Sequence, residues 1–231
     1  MTSSLLTLNI SGTLLAAVFG VIIVYFGLGA WWFFIAVLLD FLILSSIATR
    51  TKEGEKLHVR GYEKVRSWKN VVANGIVPVV VVLVYFFFES GVGLQTSTSE
   101  ILIYSFVAGV ASITADKFAS EFGVLKAVPI DIITKKKVKK GTSGGVTVFG
   151  TAMGACGALL IGLTVFALGA TAYVFIVVVA SGVFGNVVDS LLGHFEEKGL
   201  GNKYTSNLLC SVSGTLLCFA VLSLLPVSLL A

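Results

Sequence analysis

The chain has 231 residues, 56% of them hydrophobic and 12% charged, with a formal net charge of +4 and a mean hydropathy of +0.99. Soluble domains carry about a quarter charged residues, so the composition excludes a water-soluble enzyme, a disordered chain, a disulfide scaffold and a peripheral protein. The three cysteines, Cys156, Cys210 and Cys218, sit in apolar runs at no metal-ligand spacing and read as small packing residues.

Apolar runs near the ~20 residues that cross a bilayer as a helix predict about seven spans, at 9–27, 29–48, 70–89, 100–117, 146–166, 170–191 and 206–228. The fold class is therefore all-α: a polytopic transmembrane helix bundle, with residues 1–231 forming a single integral-membrane domain. The first run lacks a basic leader and continues through Gly27-Leu28-Gly29 into the second, so it reads as a span and not as a signal peptide. Continuous apolar runs, without alternation, exclude an outer-membrane barrel. In the first span Gly12, Ala16 and Gly20 are spaced as a packing seam. Asp40 lies well inside the second, where a carboxylate needs a partner or water.

All 16 lysines and arginines fall in three connections: seven in 49–69, seven in 117–145 and two in 194–205. The connections 28–29, 90–99 and 167–169 have none. Under the positive-inside rule this predicts three basic loops in the cytoplasm and both termini outside. The net charge is thus a topology signal, and no nucleic-acid partner is inferred from it.

Polar residues inside the spans are uneven. Asn70 and Asn74 share a face at the start of the third span. In the fourth, Ser105, Gly109, Ser112, Asp116, Ser120 and Gly123 recur at steps of three and four, which places them on one helix face. The sixth ends with Gly182, Asn186, Asp189, Ser190 and Gly193 in the same rhythm. Two helices thus each bring an acid on a small-residue stripe to the same membrane boundary, where a carboxylate needs a partner or a cation. Asn202 and Asn207 flank the start of the seventh span and suit either a cap or a polar site. His58 and His194 lie far in sequence from any third ligand.

Between the two stripes runs Lys135-Lys136-Lys137-Val138-Lys139-Lys140-Gly141-Thr142-Ser143-Gly144-Gly145. One reading is a charge anchor followed by a helix cap at Thr142 or Ser143. The other is an anion cradle, in which free amides at a helix start, glycines and neighbouring ammonium groups favour phosphate. The segment lacks the Walker A spacing.

Ala115-Asp116-x-x-Ala119-Ser120-Glu121-x-Gly123, the lysines with Gly141–Gly145, and Asn186-x-x-Asp189-Ser190-Leu191-Leu192-Gly193 before Asn202 and Asn207 resemble an integral-membrane family. It is the family that contains plant phytyl-phosphate kinase and animal transmembrane protein 19. Arg66-x-x-x-x-Val71-x-x-Asn74-Gly75 fits the same family, and the acidic stretch is more distantly similar to CTP-dependent dolichol and phytol kinases. The resemblance implies an enzyme that phosphorylates an isoprenoid monophosphate lipid to the diphosphate, with CTP or another nucleoside triphosphate as donor. At Lys117 the family usually has a small polar residue, commonly threonine; a lysine there is placed to pair with Asp116 or Glu121.

Phosphoryl transfer asks a protein mainly for positioning and charge stabilisation. The expectation is that Asp116, Glu121 and Asp189 hold Mg²⁺ as catalytic ligands. Lys139, Lys140 and the Gly141, Thr142, Ser143, Gly144 and Gly145 amides would meet the nucleotide phosphates. Asn74, Ser120, Asn186, Ser190, Asn202 and Asn207 would support the substrate. An ionised phosphate acceptor needs little general-base help, so no catalytic histidine is expected. The alternatives are a CTP-dependent cytidylyltransferase acting on a lipid phosphate, and a transporter of an anionic solute, for which Asp40 is the favouring feature.

Overall fold

The computed structural model describes residues 7–59, 63, 65–91, 96–224 and 226. The basic residues Arg60 and Lys64, and position 95 in the bare connection 90–99, lie outside them. Seven apolar helices carry the architecture: α1 (Ile10–Phe26), α2 (Trp31–Arg50), α4 (Trp68–Gly91), α5 (Thr96–Lys126), α6 (Val148–Ala167), α7 (Ala172–Glu196) and α8 (Lys203–Ser223). A four-residue helix, α3 (Glu53–Lys56), follows α2, and a short 3₁₀ turn, Leu28–Ala30, joins α1 to α2. Among the described residues, six helices are long and apolar enough to cross a membrane, while α1 has 17 residues, still within the ~17–25 that suffice for a span. The all-α polytopic reading holds.

Helix α5 is the axis of the bundle, with 83% of its apolar stretch buried inside the protein. Lipid tails are as apolar as leucine, so association of such helices rests on close packing. Small residues supply it here. A Cβ added at Gly157 of α6 would lie 2.9 Å from the Thr114 carbonyl oxygen of α5. One added at Gly185 of α7 would lie 2.7 Å from the Cys210 carbonyl oxygen of α8. On the other side of α5, Phe106 packs against Phe34 of α2 at 4.8 Å between ring centroids, and Phe34 meets Tyr85 of α4 at 5.5 Å.

Asp40 finds the partner its burial requires: Thr164 of α6 donates a 2.7 Å hydrogen bond to its Oδ2. The cysteines are free, with Cys210 and Cys218 buried.

The amino-terminal end departs from expectation. Arg66 N–H donates to Thr7 O at 2.8 Å and Asn9 N–H donates to Arg66 O at 2.9 Å, a short parallel bridge between Leu8 and Arg66. Residue 7 therefore lies on the same face as the basic 49–69 connection, not opposite it. Helix parity gives the same answer, since two passes, α1 and α2, separate the amino terminus from that connection. The expectation of an outside amino terminus is corrected on both grounds. The end of α8 lies one pass beyond the basic 194–205 connection and so on the opposite face.

Candidate functional site

A polar cavity of about 250 Å³ sits where α5, α7 and α8 reach the basic face. Asp116 of α5 and Asp189 of α7 line it, with their carboxyl groups within hydrogen-bonding reach of each other. The stripes predicted from sequence bring these two acids together because small residues let the helices close: a Cβ at Gly182 of α7 would lie 2.9 Å from the Ala111 Cβ of α5. Two facing carboxylates repel unless they share a proton or a cation. Among the described residues, Asp189 Oδ1, Asn186 Oδ1 and Arg66 Nε are buried without a hydrogen-bond partner. Orphaned polar atoms of this kind call for an explanation such as an ion, and here all three belong to residues that line one cavity.

Glu121 borders the same cavity but its carboxylate is engaged elsewhere. Lys56 Nζ donates to its Oε2 at 2.9 Å, and Lys117, Arg66 (3.4 Å) and Thr49 (3.2 Å) donate to its Oε1. Lys56 is fully buried and also donates to the Ala48 carbonyl oxygen at 2.6 Å, tying α3 to the end of α2. The three-acid metal set expected from sequence is therefore not assembled: no group of three His, Cys, Asp or Glu suited to a metal occurs among the described residues. The physical reason is periodicity. Asp116 and Glu121 are five residues apart, about 140° around a helix of 3.6 residues per turn, whereas Lys117 and Glu121 stack at i,i+4.

The segment after α5 forms a hairpin that lies along the cavity. Its strands are β1 (Ile130–Asp131) and β2 (Gly145–Val146), paired antiparallel. Gly141, Thr142, Ser143, Gly144 and Gly145 all line the cavity; Lys139 and Lys140 do not, and both are exposed on the hairpin. Helix α6 begins later than a cap at Thr142 or Ser143 would require: Thr147 is its N-cap, accepting from Gly150 N–H at 2.9 Å.

Two contacts pin the hairpin to the end of α7. Gly144, at φ +75, lies where a Cβ would come 2.5 Å from His194 N, so only glycine suits both the backbone and the space. The second contact is a hydrogen bond between Asp131 Oδ2 and His194 Nδ1 at 2.7 Å, while Asp131 Oδ1 accepts from Thr134 N–H at 2.6 Å and from the Thr134 hydroxyl at 2.9 Å. Burial opposes ionisation of Asp131, but the Thr134 amide, His194 and the Thr134 hydroxyl outweigh it. They hold the carboxyl well below the usual carboxylate range.

The supporting polar residues divide. Asn74 accepts from Asn207 Nδ2 at 3.1 Å, a bridge from α4 to α8, and both line the cavity. Ser120 and Ser190 also line it, each hydroxyl returning to its own helix, on the carbonyls of Lys117 and Asn186. Asn202 is the N-cap of α8 in a capping box with Thr205 and has a structural role. The cations that reach the cavity are Arg66, Lys117 and Lys203. The sequence reading named none of them for the anion. Lys203 stands directly before Tyr204 at a helix start, and its 3.6 Å pairing with Glu63 joins segments far apart in sequence.

The cavity lining offers carboxylate oxygens for a hard cation, ammonium and guanidinium groups for an anion, and a glycine-rich edge of backbone. Over residues 2–216 the chain matches the family described as integral membrane protein DUF92. It is 33% identical over 209 residues to an uncharacterized membrane protein, MJ0933, of Methanocaldococcus jannaschii, covering 90% of this chain and 82% of that one. It is also 33% identical over 179 residues to Protein PGR of Arabidopsis thaliana, covering 68% of this chain and 62% of that protein. No solved structure matches.

Proposed function

The chain belongs to the DUF92 integral-membrane family, and we propose that within it this protein is a lipid kinase. It transfers the terminal phosphoryl group of CTP or another nucleoside triphosphate to an isoprenoid monophosphate at the cytoplasmic face of the membrane. The observation that carries the reading is the facing Asp116–Asp189 pair with its orphaned Asp189 Oδ1, in one boundary cavity with three cations. The resemblance of the 115–123, 141–145 and 186–193 segments to prenyl-phosphate kinases points the same way.

The residues present fit Mg²⁺. The ion takes oxygen ligands, is commonly held by one or two carboxylates, and fills its other positions with water and substrate phosphates. Asp116 and Asp189 would hold it, with Asn186 Oδ1 adjacent in the same lining. When bound, it supplies charge neutralisation for the phosphates. The chain's own residues do the rest. Arg66, Lys117 and Lys203 offset the negative charge of donor and acceptor. Glu121 holds Lys56, Lys117 and Arg66 in place. The hairpin edge, fixed by Gly144 and by Asp131–His194, brings the Gly141–Gly145 backbone to the donor's side. An oxygen of the lipid phosphate forms the new bond to the γ-phosphorus as the β–γ bridging bond breaks, and the nucleoside diphosphate leaves with that electron pair. The acceptor oxygen is already ionised, so no base is needed.

The test is incubation of purified protein with a short prenyl monophosphate, Mg²⁺ and each of CTP, ATP, GTP and UTP, with products identified by mass spectrometry. A prenyl diphosphate supports the kinase. A nucleotidyl-lipid product replaces it with a cytidylyltransferase, and solute uptake without either product replaces it with a transporter. The transport reading loses the feature that favoured it, because Asp40 is engaged by Thr164.

A further inference from the structure

A second cavity, about 380 Å³ and almost wholly apolar, runs between α1, α2 and α4. It adjoins the polar cavity: Phe41, Asn74 and Ile113 line both. Its character changes along its length. Ser45, Ser46, Asn70 and Asn74 line the end near the basic face, whereas Phe19, Ile23, Ile35 and Leu38 line the deep end. Leu39, which lines its side, is 53% exposed on the outer surface of α2, so the groove opens laterally where lipid surrounds the bundle. The seam expected from Gly12, Ala16 and Gly20 is only half a seam. A Cβ at Gly12 would lie 3.2 Å from the Arg66 carbonyl oxygen, but one at Gly20 would meet nothing within 4 Å. Ala16 and Gly20 instead form a wall of the groove.

We propose that this groove holds the hydrocarbon chain of a single-chain isoprenoid monophosphate whose phosphate lies in the Asp116–Asp189 cavity, and that Gly20 sets the chain length accepted. The proposal rests on the kinase reading for the identity of the head group. A polar cavity with a carboxylate pair for a cation and Arg66, Lys117 and Lys203 for a phosphate, side by side with an apolar groove, matches a phosphate-headed amphiphile, and one groove accommodates one chain. From Thr13 to Ile23 the groove follows ten residues of α1, about 15 Å at 1.5 Å per residue. An extended isoprene unit, four carbon–carbon bonds of about 1.5 Å in zigzag, is roughly 5 Å long, so the groove takes about three units. Gly20 sits roughly two-thirds of the way in, and a Cβ there meets nothing within 4 Å, so a bulky side chain has an open path into the deep end.

The experiment compares the wild type with Gly20→Phe and Ala16→Leu, with Leu14→Phe on the exposed side of α1 as control. Two readouts are taken: kcat/KM for prenyl monophosphates of two, three and four isoprene units, and crosslinking by a prenyl monophosphate bearing a diazirine at its far end. The expected result is that Gly20→Phe lowers the ratio of three-unit to two-unit kcat/KM at least tenfold, and that Leu14→Phe leaves it unchanged. In the wild type the probe should label peptides of α1, α2 or α4, and Gly20→Phe should abolish that label. Should Gly20→Phe not be recovered folded, Ala16→Leu, about a third of the way in, should lower kcat/KM for two-unit and three-unit chains alike and abolish the label, with Leu14→Phe changing neither. Turnover with an unaltered chain-length ratio and labelling elsewhere overturns the groove while sparing the kinase. Groove labelling without turnover on any chain supports the groove and overturns the kinase. Displacement of the probe by two-chain phosphatidate as readily as by prenyl monophosphate overturns the single-chain assignment.

Discussion

Glu121 was expected to bind metal, and the structure gives it a different task that replacement by glutamine would expose. The residue is 5% exposed and its carboxylate receives Lys56, Lys117, Arg66 and Thr49. Lys56 and Lys117 are themselves 0% and 3% exposed. Glu121→Gln removes the only carboxylate in contact with these two ammonium groups among the described residues. Breaking a buried pair by deleting one partner costs about 3–5 kcal/mol, because the remaining charge is left uncompensated. At about 2–4 °C per kcal/mol for a chain of this size, thermal unfolding in detergent should fall by roughly 10 °C. Lys117→Met should offset part of that loss in the double variant, since it removes one of the stranded charges, and a double-mutant cycle would measure the coupling. The assay is a detergent melt followed by tryptophan fluorescence, with Mg²⁺ dependence of turnover measured beside it. A Glu121→Gln protein with the wild-type melting temperature and a greatly raised Mg²⁺ requirement would refute this reasoning and restore Glu121 as a metal ligand.

Among the cations, Lys139→Gln and Lys140→Gln should leave the KM for nucleotide near wild type, whereas Lys203→Gln should raise it about tenfold, a charged phosphate contact being worth roughly 1.5–3 kcal/mol; steady-state kinetics decide. Asp131→Ala should cost about 2–3 kcal/mol by removing charge-assisted hydrogen bonds and should expose the 141–145 segment to protease. Because the folded carboxyl of Asp131 lies below its unfolded value of about 3.9, its contribution is complete above pH 4 and fades only as pH falls further, toward the folded value; protease protection through this residue should therefore be undiminished at pH 5. In sealed vesicles, Thr7→Cys and Lys52→Cys should label from one side and Leu224→Cys from the other; labelling of Thr7→Cys from the side of Leu224→Cys contradicts the corrected topology.

The spans and the Asp116–Asp189 meeting were legible because both depend on local pattern: apolar length sets a span, and small residues at steps of three and four set a face. The cation assignments were not. Lys139 and Lys140 adjoin the glycine segment in sequence, but the hairpin turns them outward, and the cavity draws its positive charge from Arg66 and Lys203, brought in by the Leu8–Arg66 bridge and by the start of α8. Lys56 is similarly invisible, a buried lysine whose neighbours lie 65 residues away at Glu121 as well as at the end of α2. Glu121 carried a readable warning, because its i,i+4 partner is Lys117 and its angle from Asp116 points it away from α7. The groove beside α1 was hidden for another reason: the spacing of Gly12, Ala16 and Gly20 gives one stripe, and only the placement of α2 and α4 decides which part is packed and which part is open.

The most direct test of the central claim follows two labels from one donor. CTP carrying label on either its γ- or its α-phosphorus is incubated with Mg²⁺ and a prenyl monophosphate, using the wild type and Asp189→Asn. The account predicts that γ-label alone enters the lipid, and that Asp189→Asn, folded and extractable, lowers the rate at least a hundredfold through loss of charge stabilisation at the transferring group. Entry of α-label, or an Asp189→Asn protein that transfers γ-label at the wild-type rate, contradicts it.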